Sequence, residues 1–256
     1  MKLTFLGTGT SQGVPVIACH CDVCSSTDER DNRLRTAALL TVGNQQPTNI
    51  LFDIGPDFRQ QMLTHHVDHL DAILITHAHR DHVGGLDDIR SFNYVQHRKM
   101  DVFLNVEAEV AIRRDYHYIF EHHLYPGLPE ADLHVVDNKP FEAAGLTIMP
   151  VCVMHKDLPI LGFRVGDLAY ITDANHIAPK EMDKIKGVKV LVINALRKEK
   201  HFSHYCLPEA LEVIRAVGPE RAYLTHISHE MGLHEEVQRE LPDGVYLAFD
   251  GLQITV

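Results

Sequence analysis

Six consecutive residues, His77-Ala78-His79-Arg80-Asp81-His82, set three imidazoles and a carboxylate side by side directly after an apolar run, Ala72-Ile73-Leu74-Ile75-Thr76. Core packing has no use for so many polar groups, and burying them costs several kcal/mol unless each is partnered. The apolar run reads as a short buried strand. Gly84-Gly85, just beyond, reads as a turn or the start of a helix. The fold must therefore deliver this cluster on a loop at the C-terminal end of a strand, where the side chains converge on one point. Neutral imidazole and carboxylate are the ligands that bind Zn²⁺ or Mn²⁺ while leaving a coordination position open for water.

Further residues are placed in the same way. His155 ends Ile148-Met149-Pro150-Val151-Cys152-Val153-Met154, Asp173 ends Leu168-Ala169-Tyr170-Ile171-Thr172, and His226 ends Ala222-Tyr223-Leu224-Thr225. A strand followed at once by a ligating residue, repeated, is what a common sheet edge produces. A pair of hydrolytic metals needs more ligands than one hexad supplies, and these three residues are the candidates. A second cluster, Cys19-His20-Cys21-Asp22-Val23-Cys24, has the spacing C-x-C-x-x-C. Three thiolates this close suit a tetrahedral structural Zn²⁺. The fourth ligand is expected at His229, three residues after His226, rather than at His20.

The remaining pattern is α/β. Strands are expected at 2–6, 36–42, 49–53, 72–76, 102–105, 146–154, 162–165, 168–172, 188–193, 222–225 and 245–249. Helices are expected at 57–66, 107–114, 180–186, 208–217 and 235–240. No Ser/Gly-rich linker separates the halves, so residues 1–256 read as one domain, with two sheets covered by helices. The loop Gly7-Thr8-Gly9-Thr10-Ser11-Gln12-Gly13 lacks the Lys-Ser/Thr ending of a P-loop. It reads as a tight passage of backbone past a neighbour, with a phosphate cradle as the alternative. Between Leu86 and Glu130, basic and aromatic residues interleave (Arg90, Tyr94, Arg113, Arg114, Tyr116, His117, Tyr118, His122, His123 and Tyr125). They suit a cap holding a base or phosphate, or else a solvated pair of amphipathic helices.

The net charge of −11 argues against a general nucleic-acid binder. No apolar run reaches transmembrane length, and Met1-Lys2-Leu3-Thr4 leads into a strand. Five cysteines, three of them within six residues, suit a metal site in a reducing compartment better than a disulfide framework. A cytoplasmic location is the expectation. Cys152 and Cys206 are expected to pack as small apolar groups.

Leu6-Gly7-Thr8-Gly9, Phe52-Asp53-Ile54-Gly55, the hexad, His155, Asp173 and His226 together resemble the metallo-β-lactamase superfamily along nearly the whole chain. The resemblance implies a four-layer αβ/βα sandwich, two packed mixed β-sheets flanked by helices, with the site at one sheet edge. It implies one metal on His77, His79 and His155, a second on Asp81, His82 and His226, and Asp173 as the bridge. Asp53 would act from behind, orienting the ligand loop by hydrogen bonds. Asp81 followed by His82 resembles the hydrolase branch rather than true β-lactamases. The cysteine cluster with Thr225-His226-Ile227-Ser228-His229 resembles the PhnP-type phosphodiesterases. That resemblance implies a structural zinc on Cys19, Cys21, Cys24 and His229. Within His201-Phe202-Ser203-His204-Tyr205-Cys206 it implies His204 as the general acid, with His201 as competitor.

The implied activity is metal-dependent hydrolysis of a small phosphodiester, such as a cyclic ribose or nucleotide phosphate. Two divalent metals, Mn²⁺ or Zn²⁺ with Fe²⁺ as an alternative, would activate a hydroxide for in-line attack on phosphorus. A histidine titrating near neutrality would protonate the leaving alkoxide. No stable nucleic-acid partner and no membrane are expected, and a homodimer is common in the family. Three rivals share parts of the pattern. A tRNA 3′-processing nuclease would carry a long arm where only Lys156–Thr172 stands here. A PqqB-like carrier shares the cysteine cluster, and a glyoxalase-type thioesterase would use the same hydroxide on a carbonyl.

Overall fold

In a computed structural model, which describes residues 1–121 and 127–256, the strands form two sheets. The first runs in the order β15 (Gln253–Thr255), β1 (Lys2–Gly7), β2 (Ala37–Val42), β3 (Thr48–Phe52), β4 (Ala72–Leu74), β5 (Met100–Leu104) and β6 (Ala131–Val135). The second runs β11 (His176–Ile177), β8 (Leu146–His155), β9 (Leu158–Val165), β10 (Leu168–Ile171), β12 (Val190–Asn194), β13 (Arg221–Thr225) and β14 (Val245–Leu247), with β7 (Phe141–Ala143) paired to β8. Both sheets are mixed. β3, β4, β5 and β6 are parallel neighbours in one, as are β10, β12, β13 and β14 in the other.

The alternation of side chains along each strand explains the layering. Leu3, Phe5, Leu40, Ile50, Phe52 and Leu74 of the first sheet meet Phe163, Tyr170, Val190, Val192 and Tyr223 of the second in one buried core. Phe52 stacks on Tyr170 across it, ring centroids 4.6 Å apart. The opposite faces are covered by helices. Leu51, Ile73 and Val102 pack with residues of α1 (Phe58–Thr64), α3 (Arg90–Gln96) and α4 (Val106–Asp115). Leu191, Ile193 and Leu224 pack with α6 (Pro179–Ile185), α7 (Leu207–Val217) and α8 (His234–Glu240). Strands buried on both faces explain the unbroken apolar runs. The result is the αβ/βα sandwich. No helix among the described residues is long and apolar enough to cross a membrane.

Several sequence expectations are corrected. The strand expected at 162–165 begins at Leu158, because β8 and β9 form one long hairpin around the two-residue turn Lys156-Asp157. β6, β7, β11 and β15 were not expected; they are short strands at or near sheet edges, where exposed positions blur the alternation. Gly84-Gly85 form the expected turn, and Gly85 caps the 3₁₀ helix Leu86–Ile89, but Gly84 has a second role. It closes α2 (Arg80–Val83), so the second half of the hexad is helical rather than loop. Cys206 is buried but also polar in use, its side chain capping the N-terminus of α7.

Candidate metal centre

The hexad starts where β4 ends, and Asp53, Asp173 and His226 lie just past the C-terminal ends of β3, β10 and β13. All three have left-handed backbone, with φ of +61°, +58° and +55°. For a non-glycine residue that conformation costs roughly 1–2 kcal/mol. At Asp53 the cost is outweighed. Its buried carboxylate accepts from Thr76 N (2.8 Å), Thr76 Oγ1 (2.9 Å) and His82 Nδ1 (2.7 Å), and hydrogen bonds to a charged group contribute about 1.5–3 kcal/mol each. The turn thus converts a strand end into a bracket for the hexad.

Gly55 lets α2 sit against that bracket. A Cβ there would lie 2.2 Å from the Asp81 carbonyl oxygen. Ile54 N donates to His82 O and Gly85 N donates to Ile54 O on the same seam. Gly55→Ala is expected to displace Asp81 and His82 and to cost roughly 1–3 kcal/mol, the usual range for overpacking. A thermal melt lowered by several degrees, with reduced metal content, is the expected reading; an unchanged melt and metal content would refute it.

The ligating atoms are oriented by what stands behind them. The Thr76 hydroxyl donates to Asp53, so His77 Nδ1 donates to Thr76 Oγ1 (2.9 Å) and its Nε2 faces inward. His155 Nδ1 lies 2.8 Å from the carbonyl of Asp173 and 2.9 Å from that of Ser203, which fixes its proton there and frees Nε2. The Thr36 hydroxyl donates to Gly9 O (2.7 Å) and receives His226 Nδ1 at 3.3 Å. Asn194 clasps the backbone of Ala174 on both sides, at 2.8 and 3.0 Å, and so steadies the residue after Asp173. This is the support that metal-ligating imidazoles require. Thr36, Thr76 and Asn194 were not expected from the sequence. The available signal was a polar residue at the end of an otherwise apolar strand.

Four groups of ligating atoms result: His77, His79 and His155; Asp81, His82 and His226; and, sharing Asp173, His77/His82/Asp173 and Asp173/His204/His226. The Asp173 carboxylate lies 2.6 Å from His82 Nε2, 2.7 Å from His226 Nε2, 3.3 Å from His204 Nδ1 and 3.7 Å from His77 Nε2. Yet both Asp173 oxygens, His82 Nε2 and His204 Nδ1 are buried without an aligned hydrogen bond. Short contacts that fail as hydrogen bonds, made by lone pairs converging on a shared space, fit divalent cations. The charge pattern agrees. Burial opposes charging His82, but Asp173, Asp81 and Asp53 hold its pKa well above the usual imidazole range. Burial also works against Asp173, and His226 and His82 hold it well below the usual carboxylate range. Without metal, a proton on His82 balances the carboxylates; a cation supplies the same balance.

Asp53 reaches the centre only through His82 and Thr76, so it is a positioning residue and not one that touches reacting atoms. His204 stands at the centre. Burial, followed by the neighbouring His226, pushes its pKa down to about 3. His201 is turned toward Ser203, its Nδ1 accepting from Ser203 N at 3.3 Å. The glycine-rich loop is a tight backbone passage and not a phosphate cradle. A Cβ on Gly7 would meet Arg35 O at 2.0 Å, and the amides of Thr8, Gly9, Thr10 and Gly13 already donate within the protein. In the 86–130 segment, Arg113 pairs with Glu109, Arg114 with Asp115, and Tyr116 with Arg80 and Val83 O. Tyr118 donates to Asp87. These groups are engaged with the protein itself; His122, His123 and Tyr125 lie outside the described residues.

At the other cluster, His229 Nδ1 lies 3.4 Å from Cys19 Sγ and 3.3 Å from Cys21 Sγ, and Cys24 completes the group. His20 is exposed and outside it.

Residues 48–227 match the family described as the Beta-lactamase superfamily domain. The chain belongs to that superfamily. A solved structure described as a new diphosphatase from the PhnP family matches with a TM-score of 0.91 at 37% identity, covering 99% of this chain and 96% of that one. The chain is therefore PhnP-like within the superfamily. Zn²⁺-bound PqqB from Methylobacterium extorquens shares the fold, with a TM-score of 0.81 at 18% identity over the full length of both chains. An octanoyltransferase of Porphyromonas gingivalis (strain ATCC BAA-308 / W83) is 41% identical over all of this chain, but the chain spans only 52% of that protein's length.

Proposed function

We propose that the chain is a phosphodiesterase that hydrolyses a small phosphoric diester, a cyclic ribose or nucleotide phosphate being the chemistry in view. The observation that carries this reading is the Asp173 carboxylate set between two groups of ligating atoms, His77/His79/His155 and Asp81/His82/His226. Those residues would hold two divalent ions, Mn²⁺ or Zn²⁺, with Asp173 shared. Such a pair, when bound, supplies a nucleophilic hydroxide at neutral pH and neutralises phosphoryl oxygens. The chain's own part is positioning. Asp53, Thr76 and Thr36 fix the imidazole tautomers. His204, beside Asp173, is placed to hand a proton to the departing oxygen. The octanoyltransferase name belongs to a protein about twice as long; the ligating set here is that of a hydrolase.

The test is turnover of bis(p-nitrophenyl) phosphate against the p-nitrophenyl monoester by the Mn²⁺-reconstituted chain. Rapid diester and negligible monoester hydrolysis is expected. With metals bound, inactivity on both would move the reading to a thioesterase or a carrier.

The cysteine group we assign to a structural zinc. Cys21→Ser is expected to lose one zinc per chain and several degrees of Tm while the other ions stay bound, read by metal analysis and a thermal melt. Unchanged zinc would remove the assignment.

A further inference from the structure

Beside the ligating cluster, the surface opens into a cavity of about 500 Å³ lined by His79, His155, Lys156, Leu158, Phe202 and Ser203, with Asp157 at its rim. Its walls are built rather than incidental. Lys156 directly follows His155 in the hairpin turn and has left-handed backbone (φ +56°). Phe202 precedes Ser203, whose carbonyl faces His155. One amide side chain ties the two walls together: Asn175 Oδ1 accepts from Lys156 N at 2.9 Å, and Asn175 Nδ2 donates to Phe202 O at 3.1 Å. Asn175 N is itself anchored on Met154 O at 2.8 Å.

The Phe202 ring is 70% exposed. It lies against His201, centroids 4.4 Å apart, and turns an exposed face to solvent, with Lys156 Nζ over the ring. A row of rings, His155 to His204 (4.7 Å), His204 to His201 (5.3 Å) and His201 to Phe202, leads from the centre to that face. Lys156 Nζ stands 5.8 Å from the ring centroid and pairs only loosely with Asp157, at 3.9 Å. An open aromatic face, a cation beside it and a phosphate-binding centre at the near end match a ligand with a flat π-surface joined to an anion. A base-free diester would leave the aromatic ring unused.

We infer that Phe202 and Lys156, braced by Asn175, form the subsite for the nucleoside end of a nucleotide substrate, with the base laid on the exposed ring of Phe202. This rests on the phosphodiester reading for the phosphate position. It also moves base recognition away from the 86–130 segment.

Calorimetric titration of the Mn²⁺-loaded full chain with AMP and with ribose 5-phosphate tests it, because the two ligands differ only in the base. The wild-type chain is expected to bind AMP about ten-fold more tightly or better, the usual gain from stacking a base on an aromatic side chain. Phe202→Ala should abolish that preference and Phe202→Tyr should keep it. Lys156→Ala should weaken both ligands by about ten-fold alike. Equal affinities in the wild type, or a preference that survives Phe202→Ala, would overturn the subsite; unchanged binding by Lys156→Ala would remove that residue from it. Turnover of bis(p-nitrophenyl) phosphate, measured separately, keeps the two readings apart. Base preference without turnover would leave the subsite standing and sink the phosphodiesterase, and turnover without preference would do the reverse.

Discussion

Asp173→Asn is expected to abolish paired metal binding and to lower diester turnover by about three to four orders of magnitude. The substitution keeps the side chain's size but removes its charge and turns one ligating oxygen into an NH2 donor, so the effect is on ligation and charge and not steric. Asp173 is the sole carboxylate within 4 Å of four imidazole nitrogens, those of His77, His82, His204 and His226, among the described residues. Each ion placed on either side depends on that shared negative charge. Losing it forfeits several kcal/mol of charge stabilisation at the reacting phosphoryl group, and each 1.36 kcal/mol is tenfold in rate. The fold should persist, because the segment is held by strand pairing of β10 with β12 and by the Asn194 clasp on Ala174. Elemental analysis with turnover of bis(p-nitrophenyl) phosphate decides it. Two ions retained and activity within ten-fold of wild type would mean that Asp173 is not the bridge.

That reading depended on what the sequence could disclose. His77, His155, Asp173 and His226 were legible because each stands at or just past a strand's end, and parallel strands present their C-terminal ends at one edge. His77, Asp173 and His226 are therefore brought together by topology that the apolar runs already announce. The residues that aim them were not legible. Thr36, Thr76 and Asn194 are ordinary polar residues whose roles exist only through partners elsewhere in the fold. Asn194, for example, ends the run Val190-Leu191-Val192-Ile193 and clasps a backbone twenty residues away. The same limit bears on His204. The sequence offered it as general acid only through a family resemblance, and its surroundings, His155, Asp173 and His226, appear only in the fold. The short helix α2 was hidden because four residues are too few to show a helical period, and Gly84 after them reads equally as a turn.

His204→Ala should separate leaving groups. For a diester that expels an alkoxide, turnover is expected to fall by about 10²–10³-fold, within the range that general-acid catalysis contributes. For bis(p-nitrophenyl) phosphate the loss should be only a few-fold, because nitrophenolate departs without needing a proton. Geometry places the residue for this work. Nδ1 lies 3.3 Å from Asp173 Oδ1, and the ring stacks 5.0 Å from His226. The same closeness admits a competing role, since Asp173, His204 and His226 themselves form a possible ligand group. Metal content discriminates. A proton donor can be removed with both ions retained, whereas a ligand cannot. A variant that keeps its metals and loses activity equally on both leaving groups would show that His204 positions the substrate and does not protonate it. A variant that loses an ion would show that His204 is part of the cation's own shell. The acid-type signature, selective loss on the poor leaving group with full metal occupancy, requires the bound phosphoryl anion to offset the burial and the His226 ring that push this imidazole's pKa down.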